Sequence, residues 1–195
     1  PSIPVFVDSP LSVETSKVFM KYSHLFDAET KEFVHQGRHP ALNFPQLTYI
    51  ESVDQSKALN DRHEPMIIIS ASGMAETGRI LHHLRNNIQN PKNMVLIVGW
   101  QAPHTLGRRL ADREQLVRIF GEPYDRRAEV VTIGGLSAHA GQTKLLEYAR
   151  ASQSSLREIY LIHGEEDAAN IFIKQLTMLG FRNVHYPGWG QSLEI

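Results

Sequence analysis

Short runs of apolar, mostly β-branched residues recur along this chain, and most are followed by a turn and then by a helical pattern. Continuous apolar runs of four to eight residues are typical of strands buried on both faces of a parallel sheet. The runs lie at 3–7, 47–51, 66–70, 94–100, 116–120, 130–133, 159–162 and 184–186. Because strands and helices alternate, the sequence predicts a layered α/β fold with a mostly parallel sheet flanked by helices.

The pattern also predicts where helices begin and end. Apolar residues have helical spacing at 13–26, 76–89 and 168–179, and Gly180 is expected to end the last of these helices. Ser52 is a suitable N-cap for a short helix that ends at Leu59, and another helix is expected to open at His139. The run at 66–70 is interpreted as a central strand.

Composition excludes several classes of protein. The formal net charge is −1, so a nucleic acid would have to be held by a local patch rather than by a global positive field. There is no cysteine, which excludes disulfides and thiolate metal sites and fits a cytoplasmic location. No apolar run approaches the roughly 20 residues that span a bilayer, so no membrane partner is expected. The sequence begins at Pro1, almost directly in a strand, and we expect it to be a piece of a longer protein.

Small polar residues and glycines follow several of the predicted strands. They lie at Asp8-Ser9, Ser70-Ala71-Ser72-Gly73, Gly99, 134–139 and His163. Ser/Gly turns before helix N-termini bind phosphate through backbone N–H groups and hydroxyls, although each turn alone is explained as well by chain reversal. Because the carboxyl ends of parallel strands share one edge, several such turns together indicate a phosphate-binding cleft.

Two histidines follow predicted strands that a single helix connects. This spacing can bring the imidazoles of His139 and His163 into one pocket. Beside a phosphate, His139 would donate a hydrogen bond and carry a proton. His163 has the position of a metal ligand whose ring is oriented by Glu165. A helix-capping His139 and a buried, hydrogen-bonded His163 fit the same sequence.

The other histidines are interpreted as structural or surface residues. They are His24, His35, His39, His63, His82, His83, His104 and His185. Arg108 lies next to Gly107 after a predicted strand and is a candidate phosphate contact, although it also fits a solvated face.

Five segments of the chain carry recognisable motifs. They are VDSPLS at 7–12, SASGMAETGRILHHL at 70–84, GWQAPHTLGRRL at 99–110, GGLSAHAGQ at 134–142 and LIHGEE at 161–166. In this order, over nearly the whole chain, they resemble the β-CASP branch of the metallo-β-lactamase superfamily. Members include bacterial and archaeal RNA-processing nucleases and the eukaryotic pre-mRNA 3′-end endonuclease.

The resemblance implies a catalytic role for His139. The residue matches a family histidine that lies close to the scissile phosphate and aids departure of the leaving group, and Ser137 beside it would support it. Gly141 stands where the commoner family form has Asp, so any role of that carboxylate is missing from this chain.

The resemblance also implies that His163 is a ligand to one of two zinc ions. The other ligands of the family would precede Pro1, and a catalytic zinc needs about three protein ligands. We therefore expect the chain alone to hold no zinc and to need an N-terminal lactamase half of the same polypeptide.

The family organisation implies two domains and a cleft between them. Residues 1–116 would form the β-CASP domain, and 117–195 would form the C-terminal part of the lactamase domain. Ser9, Ser72 and Gly73 match loops that face the cleft.

These features predict part of a zinc-dependent ribonuclease that hydrolyses RNA phosphodiesters, a metal-dependent hydrolase in its full-length form. A homodimer is compatible with the sequence. One alternative is a non-catalytic RNA-binding scaffold of the same family, and another is a hydrolase of a different phosphoester or ester. The sequence does not distinguish internal cleavage from cleavage at an end.

Overall fold

The structure is a computed structural model that describes residues 3–35, 44–136 and 139–192. It divides into two compact units, Pro1–Ser137 and Ala138–Ile195, and each has a hydrophobic core of its own. The domain boundary between residues 116 and 117 stays a prediction. Of the helices in the described ranges, none is both long and apolar enough to span a membrane.

Helices and strands alternate along most of the first unit. Its α-helices are α1 (Pro10–Lys21), α2 (Ala28–His35), α3 (Val53–Leu59), α4 (Ile80–Asn87) and α5 (Leu106–Ala111), and short 3-10 helices lie at Ser23–Leu25 and Gly134–Leu136. Its strands are β1 (Val5–Asp8), β2 (Leu47–Tyr49), β3 (Ile67–Ser70), β4 (Met94–Ile97), β5 (Leu116–Ile119), β6 (Glu122–Asp125) and β7 (Glu129–Thr132). The predicted α/β class is confirmed.

The first three strands form a parallel sheet in the order β2-β1-β3. β1 is therefore the middle strand, and the prediction that 66–70 is central is wrong. Ile67 and Ile69 are 49% and 52% exposed, while Ile68, paired with Phe6, packs on the core. An apolar run on both faces predicts a strand, but it does not tell a middle position from an edge.

The rest of the first unit packs on a larger core. β4 and β7 pair in parallel, and β5 and β6 form an antiparallel hairpin. The core between them and the helices contains Leu84, Ile88, Ile97, Leu110, Val117, Ile119 and Val130. Most strand pairs are parallel, as the sequence predicted.

Local sequence signals explain several helix ends. Ser52 caps α3: its hydroxyl accepts from the Gln55 amide, and the Gln55 side chain accepts from the Ser52 amide. This confirms the predicted N-cap. In the second unit Gly180 has φ +92°, a conformation that glycine adopts without strain, and it ends the helix as predicted.

In residues 139–192 the second unit contains two helices and a short parallel pair of strands. Its elements are α6 (Gln142–Ala151), β8 (Ile159–Tyr160), α7 (Glu166–Met178) and β9 (Val184–His185). Ile159 pairs with Val184, and both pack with Ala149, Leu176 and Phe181. α6 begins at Gln142 after the N-cap Gly141, so the prediction that His139 opens this helix is wrong.

Candidate functional site

Hydrogen bonds join the segments that follow β1, β3 and β4 in the first unit. The hydroxyl of Ser70 donates to the carbonyl of Asp8 at 3.0 Å. The amide of Gln101 donates to the carbonyls of Gly73 at 3.0 Å and of Gly99 at 3.2 Å. The structure therefore brings three of the strand-exit segments predicted from the sequence into contact with one another.

One of these segments contains a buried carboxylate. Asp8 is 0% exposed, and its carboxylate oxygens lie 2.5 Å from the Ser56 hydroxyl, 2.6 Å from Arg79 Nη1 and 2.6 Å from His83 Nε2. Burial alone would raise the pKa of Asp8, but the bonds from Ser56, His83 and Arg79 together hold that pKa below its ordinary value. The charge is kept inside the protein because these three donors solvate it.

The partners of Asp8 are themselves held in place. Nη1 of Arg79 donates to the carbonyl of Ile50 at 3.3 Å, and Nδ1 of His83 lies 3.0 Å from Asn60 Oδ1. His83 is only 5% exposed, which confirms its interpretation as a structural residue. The cluster joins β1, α3 and α4, and its contacts fix the strand end rather than present a group to a ligand.

The two serines predicted to bind phosphate have structural contacts. Ser9 is 3% exposed, and its hydroxyl accepts from the Ser12 amide as the N-cap of α1. The hydroxyl of Ser72 accepts from the amides of Glu76 and Thr77 at 3.3 Å each. Gly73 is exposed and has nothing within 4 Å of a would-be Cβ. The phosphate-binding role of these residues stays a prediction.

The amides in the first turn of α5 already have acceptors. The Leu106 amide donates to Glu76 Oε1 at 2.5 Å, and the Gly107 amide donates to the carbonyl of Met74 at 2.9 Å. The amide of Arg108 donates to the Thr105 hydroxyl at 3.1 Å. An anion at this exit would therefore have to be bound by side chains.

Arg108 is the side chain predicted for that role. Its Nε donates to Asp112 Oδ2 at 2.8 Å, in an i,i+4 ion pair with both side chains about half exposed. The guanidinium therefore already has a carboxylate partner on its own helix. Its contact with phosphate stays a prediction.

Gly107 allows a close approach between the two loops. A Cβ at this position would overlap the side-chain oxygen of Gln101 and would lie 2.9 Å from the Met74 carbonyl. Gln101 itself is 6% exposed, and its Oε1 is buried without a hydrogen-bond partner. Only a residue without a side chain lets α5 pack on Gln101 in this way.

His139 precedes the amino end of α6 in the second unit. Its side chain is exposed, and Gly141, the N-cap, contributes no side-chain hydrogen bond to the helix. The amide dipoles of the first turn point towards this end and favour a negative charge there. Ser137, predicted to support His139, lies outside the described residues.

His163 lies in the loop between β8 and α7. It is exposed and has φ +63°, and Glu165 is the N-cap of α7. The Tyr186 hydroxyl donates to the carbonyl of Gly164 at 2.8 Å, which ties this loop to the segment after β9. His139 and His163 are both accessible in one unit, and their convergence on one pocket stays a prediction.

The family resemblance implies a zinc ion, which needs side-chain ligands placed close together. Among residues 3–35, 44–136 and 139–192, no group of three or more His, Asp or Glu side chains is positioned to hold a metal ion. The exposed imidazole of His163 is available as one ligand, and a catalytic zinc needs about three. The described residues therefore fit a partial site, one that further ligands would complete.

Sequence reasoning named Asp8 as part of a strand-exit turn but missed its partners, Arg79 and His83. A signal was present, because these two residues are four apart at the start of a helix and so share one face. The same reasoning missed Glu76 and Gln101, which hold the loops together. Their partners are about 30 residues away, and no local pattern indicates such contacts.

These features define a class of protein: an α/β fold with polar residues at the carboxyl ends of parallel strands, the usual place for a ligand site. Residues 1–110 match the family model described as "Beta-Casp domain". Residues 123–187 match the one described as "Zn-dependent metallo-hydrolase RNA specificity domain". The chain therefore belongs to the β-CASP branch of the metallo-β-lactamase superfamily, which confirms the resemblance.

Similar proteins include a ribonuclease. Ribonuclease TTHA0252 of Thermus thermophilus is 35% identical over 195 residues, 100% of this chain and 44% of the relative. Transcription termination factor FttA of Methanocaldococcus jannaschii is 26% identical over 94% of this chain and 30% of its own length. An RNase J-like protein of the same archaeon is 30% identical over 84% of this chain and 36% of its own length. The chain spans less than half the length of each of these relatives.

Proposed function

We propose that this chain is the RNA-binding portion of a zinc-dependent ribonuclease, and that it completes the active site of the intact enzyme. The observation that carries the proposal is an exposed histidine, His139, before a helix whose amino end has no side-chain cap. The matches to a β-CASP domain, to an RNA specificity domain and to a ribonuclease support it.

In this proposal a phosphate of the RNA binds before α6. The amides of the first turn stabilise its charge, and His139 donates a hydrogen bond to a phosphate oxygen. As the phosphodiester is cleaved, the imidazole gives a proton to the departing oxygen and later regains one from water. His139 is thus the proposed general acid.

His163 is the proposed metal ligand of this chain. Bound zinc would supply Lewis-acid stabilisation of the phosphate and an activated water. Glu165, two residues on, would orient the imidazole. Because His163 is exposed, its ring could reach a zinc ion whose other ligands come from another part of the polypeptide.

The remaining ligands would come from an N-terminal lactamase half of the same polypeptide. By itself the 195-residue chain would then bind no zinc and cleave no RNA. We also propose a cytoplasmic location and allow a homodimer. Residues 1–116 would contribute the β-CASP side of the cleft, and 117–195 the lactamase side.

Zinc content and cleavage of the full-length protein test the proposal. We expect His163→Ala to lower bound zinc and to abolish cleavage of a labelled RNA, because one ligand of the centre is lost. The matched control is His63→Ala, which also removes an exposed imidazole. Unchanged zinc stoichiometry in His163→Ala would defeat the ligand assignment.

One observation favours a second candidate, a non-catalytic RNA-binding scaffold. Gly141 stands where the commoner family form has Asp, and its exposed position offers no side chain. Cleavage of RNA, single-stranded DNA and a small phosphodiester should be compared under the same conditions. RNA binding without cleavage of any of the three supports the scaffold, and preferential cleavage of the small ester contradicts both RNA hypotheses.

A further inference from the structure

The most exposed large apolar side chain in the described ranges belongs to Trp189. Its relative accessible surface is 106%, compared with 59% for Trp100, the other tryptophan of the chain. Single exposed apolar residues are common on protein surfaces. Among the described residues, an indole as exposed as this one is not part of a core, so its two faces are available to a partner.

The backbone around Trp189 is held in a closed turn. The amide of Gln191 donates to the carbonyl of Gly188 at 3.1 Å, and the Gln191 side-chain oxygen accepts from the Gly188 amide at 3.0 Å. Gly190 has φ +74°, which a type II turn requires at its third residue. The ring is therefore presented from a turn fixed by two hydrogen bonds, which lowers the entropic cost of binding through it.

The turn lies at the same edge of the second unit as His163. β8 and β9 are parallel, so the segments that leave their carboxyl ends start side by side, and the Leu161 amide donates to the carbonyl of His185 at 2.8 Å. The Tyr186 hydroxyl then contacts the carbonyl of Gly164. Trp189 is three residues beyond Tyr186, a separation of at most about 11 Å along the chain.

The charges at this edge favour a base over a phosphate as the partner of the ring. α7 starts there with Glu165, Glu166 and Asp167, all exposed. A phosphate next to them that is not bound to the proposed zinc would meet charge of its own sign. An unpaired base carries no charge, and it stacks on an aromatic side chain whatever its identity.

We propose that the indole of Trp189 is a stacking platform for one unpaired RNA base, beside the loop that carries His163. The proposal rests on the proposed function, since it names how the RNA is gripped near the metal ligand. It assigns to Trp189 a direct contact with substrate and a role in selecting single-stranded RNA, because a base in a duplex has no free face for the ring.

The test measures binding of a fluorescein-labelled 2′-O-methyl RNA decamer to the full-length protein by anisotropy. We expect Trp189→Ala to weaken binding by roughly 5- to 100-fold, and Trp189→Phe to restore most of the affinity because a ring is kept. Tyr148→Ala is the matched control, since it also removes an exposed aromatic ring from the second unit, and it should bind like the wild type. Unfolding midpoints should agree among all four proteins, because the exposed ring supports no core.

A second measurement isolates the stacked base. Decamers that each lack one base while keeping the sugar-phosphate backbone are compared between wild type and Trp189→Ala. For the decamer that lacks the stacked base, we expect wild type and Trp189→Ala to bind with the same affinity.

The outcomes separate this inference from the proposed function. Equal affinity of Trp189→Ala and wild type, with RNA bound by both, would overturn the stacking role and leave the RNA-binding function intact. No RNA binding by the wild type would contradict the proposed function itself. An indole that is shielded from acrylamide in the full-length protein without RNA would show that a protein surface covers it, and would also overturn the stacking role.

Discussion

The buried cluster around Asp8 and the exposed histidines of the second unit use similar side chains for opposite purposes. His83 is 5% exposed and bonded at both ring nitrogens, whereas His139 and His163 are exposed beside helix starts. A polar group that is buried and fully hydrogen-bonded stabilises the fold, and it has no capacity left for a ligand. The comparison teaches that exposure, rather than residue type, marks the candidates for chemistry in this chain.

The largest loss of stability is expected when the buried cluster around Asp8 is disrupted. Asp8→Asn removes the charge that Arg79 and His83 face, and should lower the free energy of unfolding by about 3–5 kcal/mol, measured by urea denaturation. Asp112→Asn is the control, since its exposed ion pair with Arg108 should be worth no more than about 0.5 kcal/mol. Similar losses of unfolding free energy in the two variants would contradict the stabilising role of the buried cluster.

Two glycine substitutions test how closely the loops at the strand ends are packed. Gly107→Ala forces a methyl group against Gln101 and the Met74 carbonyl, and should cost about 1–3 kcal/mol of stability. Gly73→Ala places its methyl in open space and should change stability by less than about 0.5 kcal/mol. The two proteins are compared by thermal and urea unfolding, and a loss in Gly73→Ala as large as in Gly107→Ala would contradict the packing described.

A smaller effect is expected in the pH dependence of stability. The pKa of Asp8 is lowered in the folded protein, so its contribution is present above its unfolded value of about 3.9 and is lost as the pH falls through the folded value. Wild type should therefore lose more stability than Asp8→Asn when the pH is lowered from about 5 to 3. Parallel pH profiles for the two proteins would show that the carboxylate is not the group involved.

Features that depend on neighbouring residues could be predicted from the sequence, and features that depend on distant pairing could not. Periodicity predicted the strands, and the caps at Ser52 and Gly180 were predicted because each depends on neighbouring residues. The middle position of β1 was missed, since it depends on pairing with segments about 40 and 60 residues away. The Asp8 cluster was missed for the same reason, with partners 48, 71 and 75 residues along the chain.

The candidate site was predicted by a different route. Position after a strand and the family motif indicated His139 and His163, and the structure adds that both are exposed. The same reasoning grouped Ser9 and Ser72 with them, although their hydroxyls accept bonds from the backbone. Local sequence therefore indicated which residues leave the strands, but not that the two serine hydroxyls accept hydrogen bonds from the backbone.

The central claim is that the chemistry belongs to the exposed histidines of the second unit and not to the buried one. The direct measurement is the rate of RNA cleavage per folded molecule of full-length protein, together with its urea midpoint, for His139→Ala and His83→Ala. We expect His139→Ala to slow cleavage per folded molecule by about 10²- to 10⁴-fold, and His83→Ala to lower the midpoint. Full cleavage by folded His139→Ala, or an unchanged midpoint in His83→Ala, would contradict the claim.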